Sequence, residues 1–70
     1  MESLAFRLAE ARKNCGLTQA QVADKLHITT QSVSSWECAN SVPDTEKLPE
    51  LAELYGVTTD WILSGRLPAA

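Results

Sequence analysis

GLTQAQVADKLHITTQSVSSWE, residues 16–37, holds two short helical patterns with room between them only for a tight turn. Thr18-Gln19-Ala20-Gln21 fits the S/T-x-x-E/Q capping box, in which side chains at both ends satisfy backbone N–H groups at a helix start. Val22, Ala23 and Leu26 then share one helical face, and the pattern stops near His27. Thr29 is placed to cap a second helix, whose Val33 and Trp36 point inward three residues apart. Ala23 is small enough at the crossing for a steep, close approach. Val22, Leu26, Ile28, Val33 and Trp36 supply the apolar wedge between the two helices, predicted at about 19–26 and 30–38.

On the N-terminal side, Ser3 can cap a helix in which Leu4, Leu8, Ala11 and Cys15 recur on one face, with Gly16 following as its terminator. On the C-terminal side, Asn40-Ser41-Val42-Pro43 reads as a loop, because proline disfavours helix in the residue before it. Asp44 is expected to cap a fourth helix with Leu48, Leu51, Ala52 and Tyr55 inward. Its first turn is irregular at Pro49, and Gly56 ends it. Thr58 caps a fifth, carrying Asp60, Trp61, Ile62 and Leu63 and ending at Gly65. No strand pattern or repeat is present. Helices this short do not persist alone, so they must share one core, and the chain reads as all-α, a compact five-helix domain over 1–65 with 66–70 as tail or linker stub.

The composition narrows the function classes. At 44% hydrophobic the chain is globular rather than disordered. No apolar run reaches the roughly 20 residues of a membrane span, and the start lacks the basic-then-apolar order of a secretory signal, so a cytoplasmic location is expected. Cys15 and Cys38 sit in no metal-ligand spacing and read as free, buried structural thiols; no metal or cofactor is expected. One histidine, no visible nucleophile–base pairing and no glycine-rich phosphate loop argue against an enzyme or a small-molecule substrate. A net charge of −3 is an objection to a generic nucleic-acid binder, which ordinarily carries a basic excess.

The run GLTQAQVADKLHITTQSVSSWE, followed by the Pro43 loop and LPELAELYGVTTDWILSG, resembles the phage-repressor helix-turn-helix family (lambda and 434 C1 and Cro, XRE-type regulators) from about Leu4 to Gly65. The resemblance implies a lambda-repressor-like, five-helix DNA-binding domain. Such domains bind a palindromic operator as a two-fold dimer, with the third helix in the major groove and the second across the phosphate backbone.

Carried over by position, Thr30, Gln31 and Ser35 match the base-facing positions, with Ser34 a weaker one. The Gln31 amide presents one donor and one acceptor, suited to the N6/N7 edge of adenine; the plainer reading is a solvated helix residue. Gln19 matches a phosphate-contacting position, supported by the N–H groups of a helix start, or is simply a good first-turn residue. Ser32, Asn40, Ser41, Lys13 and Lys47 are further phosphate candidates, although a turn needs residues such as Asn40 and Ser41 in any case. The family's matching pair makes Arg12 and Glu37 a buried ion pair between the first and third helices, which would turn Glu37 away from the groove. The family's dimer region falls on Trp61, Ile62 and Leu63. Two departures stand out. His27 occupies a turn position usually held by glycine, and Glu-Asn-Gly after the third helix becomes Glu37-Cys38-Ala39-Asn40, without the basic residues that often follow.

The reading is a sequence-specific DNA-binding transcriptional regulator, with double-stranded DNA and a second copy of the chain as partners. The alternative is a protein-interaction module that kept the fold and lost strong DNA binding, docking through the same Trp61–Leu63 strip. Apart from Arg12, the phosphate neutralisers available are Arg7, Lys13, Lys25, Lys47 and Arg66, fewer than a strong binder employs.

Overall fold

In the computed structural model, which describes residues 3–65, five helices follow one another: α1 Leu4–Asn14, α2 Gln19–Leu26, α3 Thr30–Glu37, α4 Lys47–Tyr55 and α5 Thr59–Ser64. Residues 66–70, the expected tail with Arg66, lie outside the described part. The helix starts are written locally. Ser3 Oγ accepts from Phe6 N at 3.1 Å, Thr18 Oγ1 from Gln21 N at 3.1 Å, Thr29 Oγ1 from Ser32 N at 3.1 Å and Thr58 Oγ1 from Trp61 N at 3.0 Å. The capping box at α2 is complete, since Thr18 N donates back to Gln21 Oε1 at 2.8 Å.

α4 departs from expectation. Asp44 does not cap it through its side chain; the Asp44 carbonyl accepts from Lys47 N and Leu48 N at 2.8 and 3.2 Å, forming a turn that feeds the helix. Pro49 then falls in the first turn, where backbone N–H groups have no helical partner, so its missing donor costs nothing.

The helix ends share one device. After α1, α2, α3 and α4 the residue in the left-handed region is Gly16, His27, Ala39 and Gly56, with φ of 70°, 57°, 63° and 69°. Each end carries the paired Schellman bonds, as in Ile28 N to Ala23 O at 2.9 Å after α2 and Asn40 N to Ser35 O at 2.9 Å after α3. Two of the four are therefore non-glycine residues in a conformation that disfavours a Cβ, and these two bracket α3.

The core is continuous through Leu8 and Ala11 of α1, Val22, Ala23 and Leu26 of α2, Val33 and Trp36 of α3, Leu51, Ala52 and Tyr55 of α4, and Ile62 of α5. The fully buried group is Leu8, Val22, Val33, Leu51 and Ile62, one residue from each helix. A side chain of this size removed from water is worth about 1.5–3 kcal/mol, so no helix is dispensable to the core. α3 packs against both α1 and α2.

Both thiols depart from expectation. Cys15 is the C-cap of α1; it is exposed rather than buried, and its Sγ donates to Tyr55 O at 3.4 Å. Cys38 is the exposed C-cap of α3.

Candidate nucleic-acid interface

With Val33 and Trp36 buried, the opposite side of α3 is fixed by helical geometry. Gln31, Ser34, Ser35 and Cys38 stand at i, i+3, i+4 and i+7 on that outward side, with Thr30 at its edge. Gln31, Thr30 and Cys38 are exposed, and Ser34 and Ser35 are half-buried. Cys38 shares the centre of this face with Gln31, two turns away. Reading the cysteine as a core thiol missed it, and helical spacing from Gln31 was the signal available.

Ser32 lies off the face. Its hydroxyl shares a 3.0 Å hydrogen bond with Thr29 Oγ1, and its N–H is capped by the same oxygen, so it belongs to the helix start. Asn40 and Ser41 are exposed just past the C-terminal end, with both N–H groups directed to Ser35 O at 2.9 and 3.4 Å.

No charge from α3 reaches this face. Its only ionisable acid, Glu37, points inward with its side chain 6% exposed. Arg12 Nε donates to Glu37 Oε2 at 2.7 Å and Arg12 Nη2 to Oε1 at 2.9 Å, a two-pronged pair. Arg12 Nη1 donates to Leu17 O at 2.9 Å, and Gln19 Nε2 donates to Glu37 Oε1 at 3.0 Å. The hydrogen bonds to Glu37 raise the Arg12 pKa above its ordinary value, against the opposing pull of burial. Burial, reinforced by the nearby Glu37 charge, pushes the Tyr55 phenol up to about 12.

The cations differ from expectation. Arg7 is 7% exposed and is no phosphate neutraliser: its Nε and Nη2 donate to Ile62 O and Leu63 O at 2.9 and 3.1 Å, capping the end of α5. Lys47 pairs with Glu50 at 3.2 Å within the first turn of α4. Lys13, in the last turn of α1, and Lys25, in the last turn of α2, are exposed. Acidic residues gather instead on α4 and its lead-in, at Asp44, Glu46, Glu50 and Glu53.

The expected docking strip is also revised. Ile62 has no exposed surface and belongs to the domain's own core, whereas Leu63 is 55% exposed and Trp61 is half-buried. Phe6 and Val42 are the other large apolar side chains left exposed among the described residues.

Comparison with known proteins agrees with this architecture. The chain is 44% identical over 61 residues to the HTH-type transcriptional regulator ImmR of Bacillus subtilis, covering 87% of this chain and 48% of that protein. It is 35% identical over 63 residues to the HTH-type transcriptional regulator DicA of Escherichia coli, covering 90% and 47%. The chain thus spans about half the length of these relatives. The P22 c2 repressor, solved in complex with a synthetic operator, superposes with a TM-score of 0.88 at 23% identity over 94% of this chain and 100% of that one, a likeness of fold. The HTH_3 family, described as helix-turn-helix, matches residues 8–62. With that match spanning most of the chain, this protein belongs to the XRE-type helix-turn-helix family.

Proposed function

We propose that this chain is the DNA-binding part of a transcriptional regulator, acting in the cytoplasm and reading a palindromic operator as a homodimer with α3 in the major groove. The observation that carries this is the outward face of α3. It is polar, uncharged and open, and it is held from behind by the core and by the Arg12–Glu37 ion pair. Membership of the helix-turn-helix family supports the same reading, as do relatives named as transcriptional regulators.

On this reading Gln31 reads a base edge, Thr30, Ser34 and Ser35 contribute shorter contacts, and Asn40, Ser41 and Lys13 approach the backbone. Ser32, bonded to Thr29, and Lys47, paired with Glu50, are the weaker of the backbone candidates. The α3 face answers the charge objection, because the acidic residues of α4 and its lead-in account for the sign of the net charge while the outward face of α3 presents none. Half-buried Trp61 and exposed Leu63 are the part of α5 available to a second copy.

Selection of duplexes from a random pool by the purified chain, read together with its oligomeric state, tests this. Enrichment of a two-fold symmetric sequence is expected. A chain that enriches no sequence would be an interaction module instead.

A further inference from the structure

We infer that Gln19 is a positioning residue for α3, acting through Glu37; this rests on the DNA-binding reading above. Glu37 is the last residue of α3, where a carboxylate faces the negative end of the helix dipole and needs donors to be held inward. It receives three: two from Arg12 and one from Gln19, with Oε1 shared between Arg12 Nη2 at 2.9 Å and Gln19 Nε2 at 3.0 Å. Arg12 reaches Leu17 O as well, so α1, the turn before α2, the first residue of α2 and the last residue of α3 meet at one carboxylate.

The rest of the α2–α3 contact is apolar packing of Val22, Ala23 and Leu26 on Val33 and Trp36, which resists separation better than rotation. A directed hydrogen bond onto a carboxylate that Arg12 has already fixed supplies the missing angular restraint. Of the two hydrogens on the amide nitrogen, one is spent on Glu37, which holds the side chain against the end of α3. Gln19 therefore sets the pose of Gln31 and Ser35 from the far side of the helix.

The test is Gln19→Met, of similar length without the donor, measured against the selected duplex and a random duplex of equal length at one salt concentration. Operator affinity is expected to fall about tenfold, a step of about 1.4 kcal/mol, with random-duplex affinity held within about twofold. In an Arg12→Met/Glu37→Met background, Gln19→Met is expected to cost nothing further, because the acceptor is gone. Equal losses on both duplexes, an unchanged operator affinity, or a full loss persisting in that background would each overturn the proposal. If that background does not fold, the two-duplex comparison decides alone. A chain that selects no duplex defeats the DNA-binding reading instead. Urea-unfolding coupling between Gln19→Met and Glu37→Gln in the free chain then decides the contact by itself, and zero coupling overturns it.

Discussion

Arg12 of α1 grips both carboxylate oxygens of Glu37 at the end of α3, at 2.7 and 2.9 Å, with the two side chains 12% and 6% exposed. A pair so removed from water gains little net stability over an apolar pair, but breaking it strands a charge. Arg12→Ala is expected to destabilise the fold by about 3–5 kcal/mol in urea unfolding, and Arg12→Met with Glu37→Met by much less. An Arg12→Ala protein with unchanged stability would show that the pair is not buried in solution.

His27 and Ala39 occupy left-handed positions that glycine fills after α1 and α4. His27→Gly and Ala39→Gly should each raise stability by up to about 1 kcal/mol, the release of Cβ strain being partly offset by the greater freedom of the unfolded chain. Thermal unfolding midpoints of the two variants check this. A fall in either midpoint would mean that the residue relaxes its backbone.

Tyr55 links stability to alkaline pH. Its phenol titrates near 10 in the unfolded chain and at about 12 in the folded one. A raised acid pKa means that the folded state holds its proton longer. The contribution is therefore complete below pH 10 and is lost as pH rises from 10 through about 12. Tyr55→Phe should flatten the dependence of unfolding free energy on pH across that window relative to the parent chain. An identical slope in both proteins would contradict the placement of this phenol.

The cations dictate a weak salt response. With Arg7 capping α5, Arg12 bound to Glu37 and Lys47 beside Glu50, Lys13 and Lys25 are the exposed lysines outside an ion pair among the described residues. The slope of log K against log salt for operator binding should be clearly flatter than about −6 per dimer, and Arg7→Met should lower stability without altering that slope. A steeper slope, or one that flattens in Arg7→Met, would place more cations on phosphate.

How far the sequence reached depended on the range of the interaction. Ser3, Thr18, Thr29 and Thr58 cap as read, because a cap is decided within three residues. Arg7 was misread because its partners, Ile62 and Leu63, lie 55 and 56 residues away and are carbonyls, invisible to any pattern of side chains. The run Trp61-Ile62-Leu63 has no periodicity in a six-residue helix, so nothing local identified Ile62 as the buried member. Cys15 keeps a helical backbone and reaches Tyr55 O, yet it stands exposed at the end of α1, and periodicity does not mark where a buried face ends. On α3, two inward residues at known spacing suffice to define the outward face, so Gln31 was legible and Cys38 would have been.

On the proposed reading α3 recognises bases through neutral side chains, with Gln31 foremost. The most direct test is the affinity of Gln31→Ala for the selected operator and for a random duplex at fixed salt. The expected result is a loss of about 1–3 kcal/mol on the operator, with relaxed preference at one base pair per half-site and unchanged random-duplex binding. A Gln31→Ala protein that keeps the parent's ratio of operator to random affinity would contradict it.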